Sequence, residues 1–296
     1  MVNSGWRSII IDKDAKMKLA QGCLIVESEE TVEIPLCEIK TVLINNQRSS
    51  LTTKLITEMI KEKIKVIFCD DKHNPQSELM PYSLNCQASG RLAEQILWKN
   101  NDKEVMWQKI VKAKIKMQRA HLQLLGICDA DGLLEKYIQK TMPGDPTKRE
   151  GQAARLYFNR LFGIGFKRLF DTTDEINSKL NYTYAILLSA VNRIVTIYGY
   201  SCALGLNHCN TFNPFNLSSD LMKPFRAFAD HTVNNLGSGT LDRAIKIEAV
   251  KLLYKKMKYR GEKMALETAL EIYIKQTLDN IGNKAYEIGE MEFLDA

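Results

Sequence analysis

The chain has 296 residues, of which 45% are apolar, and 41 basic against 35 acidic side chains give a formal net charge of +6. That apolar fraction excludes a disordered chain, and the modest positive charge permits nucleic-acid binding without requiring it. No apolar run approaches the roughly 18 residues of a membrane span, and Met1 to Lys13 lacks the apolar stretch of a secretory leader.

Short β-branched-rich runs open the chain: Arg7 to Asp12, Met17 to Ala20, Cys23 to Glu27, Thr31 to Leu36 and Lys40 to Asn45. Turn residues separate them, so each predicts a strand. Leu51 to Lys61 predicts an amphipathic helix, and Lys65 to Cys69 a further strand ending at Asp70-Asp71. Residues 1–80 therefore predict a small β-rich N-terminal domain, and 81–90 a linker. The pattern then turns helical, and 91–296 predicts a larger all-α domain. The fold class expected is α+β.

In the helical part, Met106, Ile110, Ala113, Met117, Ala120 and Leu124 recur at steps of three and four, which is one helix face. Lys109, Lys112, Lys116 and Arg119 keep the same steps on a neighbouring face. Such a stripe suits a phosphate backbone, and it equally suits a plain solvated face. Further helices are expected at about 146–162, 174–200, 218–236, 241–258 and 264–281. Seven cysteines, an odd number with no C-x-x-C spacing, predict reduced thiols and a cytoplasmic protein.

Asp145-Pro146 predicts a helix start, with Asp as N-cap and Pro in the first turn. On that helix Glu150 falls in phase with Ala153, Ala154, Tyr157 and Leu161, which turns its carboxylate inward. A buried carboxylate needs a cation, a metal or hydrogen-bond donors. Arg155 or Arg160 is the plain structural partner. His208 follows an apolar helix, and Asp220 follows the capping residues Ser218 and Ser219. Glu150, His208 and a second carboxylate would together suit Mg²⁺ or Mn²⁺.

Several motifs carry a resemblance. Arg149-Glu150-Gly-Gln-Ala-Ala-Arg-Leu-Tyr-Phe158, Asn181 to Leu187, Gly205-Leu-Asn-His208 and Phe215-Asn-Leu-Ser-Ser-Asp220-Leu-Met-Lys-Pro-Phe-Arg226 resemble the CRISPR-associated endonuclease/integrase, the first Cas protein, of type II-A flavour. Trp6-Arg7 and Val66 to Asp70 agree with it. The resemblance implies antiviral defence by spacer acquisition: a metal-dependent DNA integrase that inserts prespacer DNA into the CRISPR repeat array. It implies a homodimer joined by the small second Cas protein into a heterohexamer on double-stranded DNA, alongside other type II-A adaptation proteins. It makes Glu150 and His208 metal ligands and places a third, acidic ligand directly before Pro-Phe-Arg. Here that position is Lys223, while Asp220 matches a second acidic position one turn earlier. Ala227 stands where the family usually has Pro. The alternative function is a catalytically weakened DNA-binding scaffold subunit.

Overall fold

The computed structural model describes residues 5–71, 75–81, 85–127, 129, 131–170 and 172–294, the Arg243 side chain excepted. Residues 82–84 of the expected linker and Cys128 lie outside these. The chain divides into two compact units, residues 1–83 and 84–296.

The first unit holds β1 (Arg7–Ile11), β2 (Lys16–Ala20), β3 (Cys23–Glu27), β4 (Thr31–Pro35), β5 (Ile39–Ile44) and β6 (Ser50–Leu51), then α1 (Thr53–Lys61), β7 (Lys65–Cys69) and β8 (Pro75–Glu78). One sheet has the order β1-β5-β7-β8, the other β4-β3-β2-β6. Strand β5 pairs in parallel on both sides, and its run Ile-Lys-Thr-Val-Leu-Ile is almost wholly buried, as a central parallel strand requires. Strand β2 instead alternates exposed Lys16 and Lys18 with buried Met17. The Thr52 hydroxyl accepts from Leu55 N at 3.4 Å and caps α1. Leu55 and Met59, one turn apart, pin that helix to a core with Leu24, Ile39, Val42 and Val66.

The second unit begins with α2 (Ala88–Ile96) and α3 (Asn100–Leu124), a helix about 38 Å long. Next come α4 (Leu133–Lys140), α5 (Arg149–Phe162) and α6 (Glu175–Ile197). Helix α6 buries residues on all sides, from Leu180 and Thr183 to Ala190 and Val191, so it is the axis of the unit. Helices α7 (Asn216–Leu221) and α8 (Arg226–Asn234) replace the single helix expected at 218–236. Pro224 has no N–H to continue the ladder, and Lys223–Phe225 tightens into a 3-10 turn.

Helix α9 (Arg243–Lys251) is followed by β9 (Lys256–Tyr259), β10 (Glu262–Ala265), α10 (Leu266–Asn283) and β11 (Met291–Phe293). The unit is mostly helical but not all-α, since these strands form a sheet ordered β10-β9-β11. The helix expected over 241–258 ends at Lys251, before β9, and Arg260 and Gly261, at φ of 53° and 81°, make the two-residue hairpin turn between β9 and β10. No helix among the described residues is long and apolar enough to cross a membrane.

Candidate functional site

Helix α5 starts three residues later than Asp145-Pro146 suggests. Asp145 still caps it, because its carboxylate accepts from Arg149 N at 2.8 Å and Glu150 N at 2.9 Å across the turn at Lys148. Ala153 and Tyr157 are fully buried, so the inward phase of Glu150 holds. Its partner is neither Arg155 nor Arg160. Arg160 instead bridges Asp129 and Asp131. The Glu150 Oε1 atom accepts from Lys114 of α3 and, at 3.0 Å, from Lys223. Both lysines are almost wholly buried, and the Glu150 side chain is 22% exposed.

Burial alone would raise the Glu150 carboxyl, but the two ammonium groups outweigh it and hold the group well below the ordinary carboxylate range. Burial and the like charge of Lys114 bring Lys223 down to about 8 despite its contact with Glu150. At neutral pH the Lys223–Glu150 pair therefore stays ionic.

His208 and Asp220 form a second pair. Asp220 is fully buried, and its Oδ2 accepts from the backbone N–H groups of Leu206, Asn207 and His208 at 2.8, 2.9 and 3.2 Å. Its Oδ1 meets His208 Nδ1. Asp220 thus anchors the 205–208 loop and orients the imidazole. With Nδ1 engaged, Nε2 is the ring nitrogen left for an outside group. Gly205 is required in this loop, since a Cβ there would lie 2.3 Å from His208 O and 2.9 Å from Asp220 Oδ2.

Trp107 of α3 joins the two pairs. Its ring lies 5.8 Å from the His208 ring, edge-on, and 5.8 Å from Lys223 Nζ. Glu150 also lines a cleft of about 830 Å³ with Lys114, Arg155, Arg168, Arg226 and Asp230. At its floor Asp230 accepts from Tyr157 at 3.1 Å and from Tyr184, and burial raises its carboxyl to about 6.

These residues do not fit a divalent cation. One oxygen of Glu150 is shared by two ammonium groups, and the position expected to supply the third, acidic ligand holds a cation. No three His, Cys, Asp or Glu side chains among the described residues converge on a point suited to a metal.

The basic stripe divides. Lys109 and Lys116 are exposed and Lys112 half-buried along a groove of about 530 Å³, faced by the segment Tyr286 to Glu292. Arg119 is engaged elsewhere, 2.7 Å from Glu135 and 4.0 Å from Asp129.

Residues 9–244 match the family described as CRISPR associated protein Cas1. The chain belongs to the Cas1 family. It is 34% identical over 232 residues to the CRISPR-associated endonuclease Cas1 of Neisseria meningitidis serogroup C, covering 78% of this chain and 76% of that protein. A Francisella tularensis subsp. novicida Cas1 is 27% identical over 293 residues, covering 89% and 92%.

The fold has similar solved structures. A casposase bound to integration product superposes with a TM-score of 0.77 at 18% identity, covering 96% of this chain and 92% of that one. A CAS1 protein from Thermotoga maritima gives 0.74 at 13% identity, covering 93% and 97%. A Cas6-RT-Cas1–Cas2 complex gives 0.72 at 18% identity, covering 96% of this chain and 36% of that one.

Within this Cas1 chain, sequence reasoning missed Lys114, Trp107 and Gly205. Lys114 carried a legible signal: Ile110, Lys114, Gln118 and His121 follow one another at helical steps, and all four are buried. A polar line on an apolar face marks a built network.

Proposed function

We propose that this chain is the DNA-handling integrase subunit of a CRISPR adaptation complex, with its strand-transfer centre at Glu150 and His208 held in a low-activity state by Lys223. Family membership supports the first half of this reading, as do the casposase bound to integration product and the Cas1–Cas2 complexes among structures of the same fold. One observation supports the second half: Lys223 Nζ sits 3.0 Å from Glu150, in the position where the family resemblance expects an acidic ligand.

In this reading Glu150 and His208 are the residues that act at the phosphodiester, and Asp220 positions His208. Lys and Arg side chains grip prespacer and repeat DNA through its backbone. The chain works in the cytoplasm as a homodimer, and pairs of dimers join through the small second Cas protein, with other type II-A adaptation proteins nearby. Mg²⁺ or Mn²⁺ would supply Lewis-acid charge at the scissile phosphate once a third oxygen ligand is present.

The test is strand transfer into a repeat-bearing duplex by purified chain plus the small partner, with assembly followed by sedimentation. Wild type should transfer weakly with Mg²⁺ or Mn²⁺. Lys223→Glu removes a cation and adds a carboxylate, so transfer and Mn²⁺ affinity should each rise about 10- to 100-fold. A robust wild type that Lys223→Glu does not improve would overturn the restrained-site reading. A chain that stays monomeric at micromolar concentration would count against the assembly.

A further inference from the structure

The cleft at Glu150 carries an imbalance of charge. Among the described residues, Lys114, Arg155, Lys167, Arg168 and Arg226 line it against Glu150 and Asp230. Glu150 is already satisfied by Lys114 and Lys223. Asp230 has both oxygens on tyrosine hydroxyls and is buried. Arg168 is held by neutral groups, the side-chain oxygens of Asn177 and Asn181, so its charge is not cancelled by the bonds that fix it.

Arg226 lies with its guanidinium 4.4 Å from the Tyr184 ring, and its buried Nε has no hydrogen-bond partner. Arg155 is exposed at the rim. These guanidinium groups outnumber the carboxylates that share the cleft with them, which is the chemistry of an anion site.

A carboxylate on the wall of such a cleft would normally repel a phosphate unless a metal ion stood between them. Here an ammonium group of the chain stands on that carboxylate. We propose that Lys223 is a built-in counter-ion for Glu150, and that it turns this cleft into a phosphate cradle which holds a DNA backbone without any divalent cation. Arg155, Arg168 and Arg226 are the gripping groups, and Lys114 is the second counter-ion of Glu150. Lys223 acts through Glu150 and is a positioning residue. The inference rests on the proposed function only in taking DNA as the source of the phosphate.

The probe is a 5′-labelled 12-nucleotide single-stranded DNA, with its affinity for the full-length chain read by fluorescence anisotropy at fixed salt in EDTA, Mg²⁺ and Mn²⁺. Wild type should bind equally, within about twofold, in all three. Lys223→Met leaves Glu150 with one counter-ion and should weaken binding about tenfold in EDTA. Lys223→Glu should weaken it further in EDTA and regain affinity with Mn²⁺, reversing the wild-type indifference to the ion. Matching thermal melts establish that the variants are folded, and the ion-dependence of Lys223→Glu compares one protein with itself.

A wild type that binds only with a divalent ion, or not at all, overturns the cradle. So does a Lys223→Glu protein that binds in EDTA as tightly as wild type. Strand transfer is measured separately. A Lys223→Glu protein that binds DNA through Mn²⁺ yet transfers no strand supports the cradle and counts against the integrase reading.

Discussion

At the scale of single residues, Asp220 decides the shape of the His208 loop. It is a fully buried carboxylate that accepts three backbone N–H bonds and holds an imidazole. Asp220→Ala leaves those donors without a partner and should cost about 2–4 kcal/mol of stability in urea unfolding, with Asp220→Asn costing less because one oxygen acceptor remains. A ligand carboxylate with no structural duty would behave differently, and a variant as stable as wild type would sink the anchoring role. The inward phase of Glu150 was legible from Ala153 and Tyr157, because helical periodicity fixes where a side chain starts. The direction of Lys223 was not. Its long flexible stem can reach inward or outward, and only the packing beside Trp107 and Glu150 selects one.

At the scale of elements, β1 to β5 and β7 were legible almost to the residue, because alternation and turn residues act locally, whereas the short β6 and β8 were not expected. The break at Pro224 was misread as helix interior, and it is this break that sets Lys223 in a 3-10 turn facing Glu150. The β9–β10 hairpin straddles the gap between the helices expected at 241–258 and 264–281, and Arg260-Gly261 marks its turn.

A hydrogen-bonded chain also ties α3, α5, α6 and α8 together and was not foreseen. Tyr157 and Tyr184 donate to Asp230, Tyr157 meets His121 Nδ1 at 2.6 Å, and His121 Nε2 meets His231 Nδ1 at 3.1 Å. Since Tyr157 donates to Asp230, its oxygen is left to accept from His121 Nδ1, and in a neutral His121 this assigns Nε2 as the acceptor toward His231.

Burial, and then His231, lowers His121 to about 3 from an ordinary 6.5. Its contribution is thus fully present above pH 6.5 and is lost as pH falls toward 3, at about 1.4 kcal/mol per pH unit. Asp230 runs the other way, since a carboxyl raised to about 6 favours the folded state as pH drops below 6. That opposing effect is common to wild type and His121→Gln, so the difference between them isolates His121. Urea titrations should show the wild-type advantage shrinking as pH goes from 6.5 to 5. A gap that stays constant would show that His121 does not titrate with unfolding.

At the scale of the whole molecule, the question is how much of the DNA affinity lies outside the Glu150 cleft. Lys109, Lys112 and Lys116 line one groove of the second unit, and Glu287, Glu290 and Glu292 line the same groove. Those acids temper the field but form no ion pair with the three lysines among the described residues, so the ammonium groups stay open to phosphate. Arg119 shares their helical steps, but Glu135 and Asp129 already engage it. Counterion release lowers log affinity in proportion to the number of phosphates met, about 0.9 in the salt slope per contact on duplex DNA. Replacing the three lysines with Gln should therefore reduce the slope by about 1 to 3 while leaving sequence preference unchanged. Adding Arg119→Gln should change the slope no further and should instead lower stability slightly, because it leaves Glu135 without its cation while Asp129 keeps Arg160. Titrations of a repeat-length duplex at several salt concentrations measure both effects. An unchanged slope in the triple variant would make the stripe an ordinary solvated face and assign the backbone contacts to the arginine-lined cleft alone.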